Sequence, residues 1–200
     1  MIAGIDEVGR GCWAGPLVAA VVILPDDFFA SSSHVTADSK SLSRRQREIA
    51  DELIRSRVKS IGVGWVSPGE IDRYGLTQSV QLAMARAMKQ LHSKGVVYDQ
   101  IIIDGNYNYL KGTDELKSKN IKTMVRADAL VPAVGAASII AKVARDAYMR
   151  KQAVNYPGYG FEKNVGYGTP LHRQGLDSHG ITDLHRKSFK PVQKVIQSRP

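Results

Sequence analysis

The sequence has few of the residues that build disulfide-bonded, zinc-binding or membrane proteins. Cys12 is the single cysteine among 200 residues, so neither an internal disulfide nor a multi-thiolate metal site can form. The longest apolar run, residues 17–24, is far shorter than the roughly 20 residues of a membrane helix. The acids at positions 6 and 7 argue against a signal peptide. We therefore expect a protein of the reducing cytoplasm with no membrane segment.

Acidic residues are also scarce relative to basic ones. Lys and Arg total 28 against 19 Asp and Glu, which gives a net charge of +9. Such a surplus attracts polyanionic partners such as nucleic acid. It is concentrated in two regions: one is 44–59, and the other follows Asp183, where no acid occurs and the basic residues are Arg186, Lys187, Lys190, Lys194 and Arg199. These regions are either solvated surfaces or two phosphate-binding patches.

Apolar periodicity predicts alternating strands and helices, with no repeat and no low-complexity tract. Strands are predicted at 1–8, 17–24, 60–66, 98–106 and 121–127, and helices at 43–57, 77–91, 132–155, 171–176 and 192–197. Ser43 and Gln46 have the spacing of a capping box. The pattern predicts an α/β domain around a mixed central sheet flanked by helices. We expect residues 1–200 to form a single domain, with about 165–200 packed on it as a small C-terminal helical extension.

Four acids stand where apolar strands are predicted to end. Each alone has an ordinary explanation, as a turn residue, a helix cap or, for Asp6, a partner of Arg10. Strand ends hold ligands in α/β sheets, and carboxylates that converge there repel one another unless cations lie between them. Oxygen ligands without a His or Cys cluster favour Mg²⁺ or Mn²⁺ over zinc. The four acids are Asp6, Glu7, Asp104 and Asp128.

An acidic site in a basic protein suits phosphodiester hydrolysis. The basic surface would gather a phosphate backbone, while two metals about 4 Å apart would activate water and stabilise the leaving oxygen. Consecutive strand residues point to opposite faces, so the strand must end or twist near Glu7 if both first acids are to face the metals. The Gly9-Arg10-Gly11 segment permits this and lets the backbone approach a ligand, although alone it is typical of a flexible turn.

Six motifs then occur in a fixed order between residue 2 and about residue 191. They are "GIDEVGRGCWAGPLVAAVVIL", "ADSKSLSRRQRE", "IIIDGN", "VRADAL", "AASIIAKVARD" and "YGFEKNVGYGTPLH". This combination resembles bacterial ribonuclease HII. The resemblance implies a ribonuclease H-like fold and an endonuclease that cleaves the RNA strand of RNA/DNA hybrids and single ribonucleotides embedded in DNA. Cleavage would fall on the 5′ side of the ribonucleotide and leave a 3′-hydroxyl and a 5′-phosphate, with two Mn²⁺ or Mg²⁺ ions bound beside the substrate.

The resemblance also assigns roles to residues. The family's metal-binding acids fall on Asp6, Glu7, Asp104 and Asp128, the same four that the strand ends indicate. Its ribose-reading Gly-Arg-Gly falls on Gly9, Arg10 and Gly11, and the tyrosine that stacks on the following sugar falls on Tyr167. A 2′-hydroxyl distinguishes RNA from DNA at one nucleotide, so these residues would carry substrate choice. Lys40 and Lys142 match lysines near the substrate backbone, although either could be an ordinary surface charge.

Some assignments stay open. The segment between Asp104 and Asp128 is longer than the usual connection, so Asp114 or Asp146 could supply the fourth acid. We prefer Asp128, because Asp114 lies in a polar loop and Asp146 is spaced for a helix-surface pair with Arg150. One helix stripe carries Ser138, Lys142 and Arg145, which predicts a phosphate-facing edge. His172 and His185 are expected to be structural hydrogen-bond donors rather than catalytic groups.

Three other functions compete with this hypothesis. Ribonuclease HIII would carry an additional N-terminal domain, for which a first acid at residue 6 leaves no room. A non-catalytic RNA-binding or hybrid-binding module would explain the basic charge but not four acids, whose burial is costly. A recombinase or transposase on a related scaffold would not need the "GRG" and "GYGT" elements. We therefore expect an enzyme that acts as a monomer on nucleic acid.

Overall fold

A mixed five-stranded sheet forms the centre of the computed structural model, which describes residues 1–25, 28, 42–112 and 120–198. The strands are β1 (Ile2–Val8), β2 (Leu17–Ile23), β3 (Ser60–Val66), β4 (Gln100–Asp104) and β5 (Asn120–Met124), in the spatial order β3-β2-β1-β4-β5. β2 is antiparallel to β1 and β3, whereas β1, β4 and β5 run parallel. This confirms the predicted mixed sheet.

Seven helices accompany the sheet in the described residues. They are α1 (Arg44–Arg57), α2 (Pro68–His92), α3 (Ala127–Leu130), α4 (Pro132–Asn155), α5 (Phe161–Asn164), α6 (Pro170–His179) and α7 (Lys190–Ser198). The capping box predicted from Ser43 and Gln46 is present at the start of α1. None of these helices combines the length and apolarity needed to cross a membrane.

Helices cover both faces of the sheet. On one face α2 buries Val80, Met84 and Leu91 against Ile5 and Ile103. On the other face α1 and α4 pack Ile54 and Ile140 against β2. Because every side chain of β2 is buried, this strand lies between the two cores, as its unbroken apolar run requires.

Glycine allows one of these contacts to be unusually close. Gly4 of β1 faces the first turn of α4, and a Cβ atom there would lie well inside contact distance of the backbone of Ala133 and Val134. The helix backbone therefore rests directly on the strand two residues before Asp6.

The C-terminal segment forms a third cluster of its own. Tyr159, Phe161, Leu176 and Leu184 are buried together and pack against Ala14, in the connection between β1 and β2. Tyr159 and Phe161 therefore contribute their rings to an internal core rather than to the surface. The C-terminal helices α6 and α7 are therefore in contact with the loop that follows β1.

Two helices differ from the prediction. α2 begins at Pro68, nine residues earlier than predicted, with Ser67 and Glu70 forming a second capping box. Gly75 interrupts it with φ of 75°, which is why the preceding turns resemble a loop in the sequence. The strand predicted to continue to residue 127 ends at Met124. Arg126 then takes a left-handed conformation and α3 follows.

Candidate active site

Strand ends, two loops and two helices converge on a cavity of about 430 Å³. β1 and β4 are parallel neighbours with Ile5 paired to Ile103, so Asp6 and Asp104 occupy adjacent positions at the ends of this pair. The cavity is lined by Asp6, Glu7, Val8, Gly9, Arg10, Gly11, Arg47, Asp104, Ser138, Lys142 and Tyr167. Three of the four predicted acids and all of the predicted Gly-Arg-Gly element therefore meet in one place.

Asp6 is a buried carboxyl group in an acidic environment. Its side chain accepts a hydrogen bond from the backbone N–H of Glu7 at 2.7 Å. Burial first, and then the charges of Glu7 and Asp104, raise the pKa of Asp6 to about 8, although a hydrogen bond with Ser138 opposes the shift. Without a cation this group holds a proton at neutral pH, and a bound dication would favour its ionised form.

Glu7 has one oxygen with a partner and one without. Oε1 accepts a hydrogen bond from Arg10 Nη1 at 3.2 Å, whereas Oε2 is buried with no hydrogen-bond partner among the described residues. Burial raises the pKa of Glu7, and Arg10 partly opposes this. Arg10 therefore pairs with Glu7, and the alternative that it pairs with Asp6 is wrong. An unpartnered buried carboxylate oxygen is costly unless a ligand such as a metal ion satisfies it.

The end of β4 holds Asp104 at the rim of the cavity. Its Oδ1 accepts a hydrogen bond from the backbone N–H of Ala127 at 2.7 Å. The backbone turns immediately afterwards at Gly105, whose φ of 101° requires glycine and whose N–H donates to Met124 O. Asp104 is thus fixed by the segment that leads into α3.

Asp128 does not stand at a strand end, contrary to the prediction. It lies in the first turn of α3, where its side chain is buried, and it is not among the residues that line the cavity. Asp128 directly follows Ala127, whose backbone N–H donates to Asp104. The start of α3 is therefore attached to the end of β4 one residue before Asp128. Its role as fourth ligand stays a prediction.

The two alternative fourth acids have different outcomes. Asp114 lies outside the described residues, as does Lys40. The predicted pair of Asp146 with Arg150 is wrong, because Asp146 Oδ1 accepts from Lys142 Nζ at 2.9 Å and Arg150 binds Glu48 at 3.1 Å. Asp146 is therefore neutralised by a lysine of the cavity.

Only part of the predicted phosphate-facing stripe on α4 faces the cavity. Ser138 and Lys142 line it, and Lys142 Nζ lies 6.0 Å from the ring centroid of Tyr167. Arg145 is fully buried and donates to the carbonyls of Pro16, Val165 and Ala14, so the prediction that it faces phosphate is wrong. Helical periodicity shows that the three residues share one side of α4. It does not show that two other segments of the chain cover Arg145.

Tyr167 reaches the cavity from the C-terminal segment. The residue is 43% exposed, so it is accessible from the cavity. Its backbone is fixed by two hydrogen bonds, from its N–H to Asn164 O and between its carbonyl and His172 Nδ1, each at 2.9 Å. His172 and His185 are buried against each other away from the cavity, which agrees with a structural role.

The basic regions contribute unequally. Arg47 of the first region lines the cavity, which the sequence analysis did not single out. It shares its helix with seven other charged residues, and nothing in the sequence indicated that Arg47 would be the one to face the acids. In the second region Arg186 is fully buried, whereas Lys190 and Lys194 are exposed beside Trp13, and Arg199 lies outside the described residues.

The donor set fits a hard divalent cation. All candidate ligands are carboxylate oxygens, and Glu7 Oε2 is a buried acceptor without a protein donor. In the part of the chain that the structure describes, no three His, Cys, Asp or Glu side chains form a ready-made cage. The all-carboxylate donor set, rather than that absence, suits Mg²⁺ or Mn²⁺, which keep water or substrate oxygens among their ligands, and does not suit zinc.

Comparison with known proteins decides the family. The sequence model of the ribonuclease HII family matches residues 3–192. The chain belongs to the ribonuclease HII family. A ribonuclease HII from Leuconostoc mesenteroides is 43% identical over 197 residues, which cover 98% of this chain and 72% of that protein. The chain is accordingly an endoribonuclease of the ribonuclease H type, as the sequence motifs predicted.

Solved structures support the ribonuclease HII fold. The ribonuclease H2 of Pyrococcus horikoshii OT3 superposes with a TM-score of 0.82 at 25% identity, covering 98% of this chain and 97% of that one. Bst-RNase HIII in complex with Mn²⁺ superposes with a TM-score of 0.79 at 19% identity, covering 98% of this chain and 69% of that one. The second likeness concerns the fold alone, because the identity is low. The predicted ribonuclease H-like fold is confirmed.

Proposed function

We propose that this ribonuclease HII nicks duplex DNA on the 5′ side of a single embedded ribonucleotide, hydrolyses the RNA strand of RNA/DNA hybrids, and leaves 3′-hydroxyl and 5′-phosphate ends. The observation that carries the proposal is Glu7 Oε2, a buried acceptor without a partner, in the same cavity as Asp6, Asp104 and the Gly9–Gly11 backbone. This carboxylate oxygen shares its cavity with a backbone segment that could approach a ribose, which supports the proposal.

Asp6, Glu7 and Asp104 are the proposed ligands of divalent Mn²⁺ or Mg²⁺, and Asp128 is the proposed fourth. Two such ions supply Lewis acidity, which lowers the pKa of an attacking water and stabilises the leaving oxygen. The pKa of Asp6, raised by burial and by its acidic neighbours, means that this carboxyl must lose its proton when it becomes a ligand. Ser138, which hydrogen-bonds Asp6, orients that side chain.

Other residues of the cavity would bind and choose the substrate. Gly9, Arg10 and Gly11 offer main-chain groups to the ribose 2′-hydroxyl, and Gly11 faces open space, so a sugar can reach its backbone. Tyr167 offers an exposed ring for stacking on the next sugar. Lys142 and Arg47 place positive charge beside the acids, where the scissile phosphate would lie. Lys40 is proposed as a further backbone contact from sequence alone.

A neighbouring function, binding of hybrids without cleavage, is disfavoured by the acids. A module that only binds hybrids would bury Asp6 and Glu7 beside a negatively charged ligand. This is electrostatically unfavourable, and without catalysis the two acids would have no function there. We further propose that the chain acts as a single domain and as a monomer, since one copy supplies every residue of the cavity described above.

The proposal is tested with a labelled DNA duplex that holds one ribonucleotide. With Mg²⁺ or Mn²⁺ we expect one nick on the 5′ side of that residue, no cleavage of the all-DNA duplex, and no activity in excess EDTA. Glu7→Gln should abolish nicking. Asp183→Asn, which removes an exposed acid that does not line the cavity, should not. Cleavage of the all-DNA duplex, or nicking that survives EDTA, would contradict the proposal.

A further inference from the structure

Two segments that are distant in sequence meet behind the substrate-facing surface. The recognition loop, residues 9–16, and the tyrosine loop, residues 165–169, are joined by the backbone N–H groups of Trp13 and Ala14, which both donate to Gly166 O, at 2.8 and 3.3 Å. Gly168 lies against the indole ring of Trp13, where a Cβ atom would not fit. The two loops therefore form one packed unit.

A buried arginine from α4 binds both loops. The guanidinium of Arg145 donates to Ala14 O at 3.1 Å and Pro16 O at 2.8 Å on the recognition loop, and to Val165 O at 2.9 Å on the tyrosine loop. Gly9, with φ of 94°, packs on this side chain so closely that a Cβ atom would displace it. Arg145 is 0% exposed and cannot touch a substrate.

A second buried arginine binds the recognition loop from the C-terminal side. Arg186 Nε and Nη2 donate to Gly15 O at 3.0 and 2.9 Å, and Nη1 donates to Arg10 O at 3.0 Å. Its backbone N–H donates to Trp13 O at 2.8 Å, and its side chain is also 0% exposed. The loop that carries the proposed ribose-reading residues is thus fixed at Arg10, Trp13 and Gly15 by one residue.

Neither arginine is explained by stability alone. Within the described residues, every hydrogen bond of these two guanidinium groups goes to a main-chain carbonyl rather than to a carboxylate. Burial of a cation without a directly bonded carboxylate is costly, even though the charge of Asp72 acts on Arg186 from a distance, and an apolar side chain of similar volume is often as stable. What an arginine adds is a rigid planar fork that fixes several acceptors in one geometry, which lysine cannot reproduce.

We propose that Arg145 and Arg186 are positioning residues that hold the recognition loop and the tyrosine loop in one fixed relation, so that both read the same ribonucleotide. The inference rests on the proposed function of Gly9–Gly11 and Tyr167. The acids lie on the sheet instead, where Asp6 and Asp104 are held by strand pairing and by Ala127. Loss of either arginine should therefore affect substrate choice more than hydrolysis itself.

The test compares Arg145→Lys and Arg186→Lys with Arg150→Lys, a control on α4 whose guanidinium binds Glu48. Each protein is assayed on a duplex with one ribonucleotide and on a long RNA/DNA hybrid. A misplacement of about 1 Å can cost on the order of 100-fold in rate. We expect the single-ribonucleotide to hybrid ratio of kcat/KM to fall by about tenfold or more in the two test variants, through kcat rather than KM, and to stay unchanged in the control.

Two outcomes distinguish failure of the proposed function from failure of the positioning role. If wild-type protein does not nick the single-ribonucleotide duplex, the proposed function itself fails. If wild type nicks and the two variants lose thermal stability with an unchanged ratio, the arginines are merely structural and the positioning role is overturned.

If the lysine variants do not fold, hydrogen exchange on the wild-type protein decides. Amides of Trp13, Ala14 and Gly15 that exchange as slowly as those of β1 support a rigid unit. Exchange as fast as that of the exposed Gly11 overturns it.

Discussion

The Oδ1 atom of Asp104 accepts a hydrogen bond from the backbone N–H of Ala127 at 2.7 Å, which ties the third acid of the cavity to the residue that precedes Asp128. The end of β4 and the start of α3 are thereby coupled. Asparagine at position 104 would retain an oxygen that can accept this hydrogen bond. The loss of the negative charge of Asp104 can therefore be studied without loss of the contact with Ala127.

Asp104→Asn should abolish metal-dependent cleavage while it keeps or raises the melting temperature of the metal-free protein. The variant removes one negative charge beside Asp6 and Glu7, and the charge of Asp104 raises the pKa of both. Loss of a metal ligand removes several kcal/mol of transition-state stabilisation, so a rate loss of about a thousandfold is expected. Nicking assays and thermal melts in EDTA check both parts, and a large drop in melting temperature would show that Asp104 is structural.

Asp128→Asn and Asp146→Asn should separate the two candidate fourth acids that the structure describes. If Asp128 completes the metal site, its variant should lose activity as Asp104→Asn does. Asp146 is already paired with Lys142 Nζ at 2.9 Å, so its variant should retain activity within about tenfold, the effect of one altered charge-assisted hydrogen bond. Manganese titration followed by calorimetry measures the ligand loss directly. Weaker Mn²⁺ binding in the Asp146 variant alone would reverse the assignment.

Tyr167→Ala should reduce nicking at single ribonucleotides without destabilising the fold, since the residue is 43% exposed. Stacking of an aromatic ring on a nucleotide contributes about 1–3 kcal/mol, which corresponds to roughly tenfold to a hundredfold in rate. Tyr167→Phe should keep most of this activity, because it retains the ring beside Lys142. Tyr107→Ala, at an exposed tyrosine outside the cavity, is the matched control, and an equal effect at position 107 would remove Tyr167 from recognition.

Acid should destabilise the protein through His185. Burial, with His172 as a second cause, lowers the pKa of His185 from 6.5 to about 4. The unfolded chain therefore binds a proton that the folded chain does not, so the stabilisation is complete above pH 6.5 and is lost as pH falls toward 4. The loss approaches about 3 kcal/mol.

Urea unfolding between pH 7 and pH 4.5 measures this slope. His185→Gln should flatten it, whereas His179→Gln, at an exposed histidine, should leave it unchanged. A wild-type free energy of unfolding that does not change over this range would contradict the prediction.

Local signals in the sequence predicted most of the elements. The buried strand β2 follows from eight consecutive apolar residues, and α1 begins at its capping box because Ser43 and Gln46 satisfy the first amides of the helix. The early start of α2 at Pro68 was missed, since proline at a first helical position and the kink at Gly75 both resemble loop signals.

Sites built from distant segments were harder to predict. The acids at 6, 7 and 104 were found because strand ends of one sheet converge by topology. Asp128 was misplaced because the left-handed Arg126 ends β5 early, and such a conformation at a non-glycine residue leaves no mark in the sequence. Arg145 was misread because periodicity shows which face a residue shares but not that Ala14, Pro16 and Val165 cover it.

The bare backbone of Gly4 against the first turn of α4 has a consequence for the chemistry. It sets how deeply the helix that bears Ser138 and Lys142 sinks toward the strand that bears Asp6 and Glu7. A single methyl group there would wedge the two apart and widen the cleft before any reacting atom was altered. The distance between α4 and the acids of β1 thus depends on the absence of a side chain at Gly4.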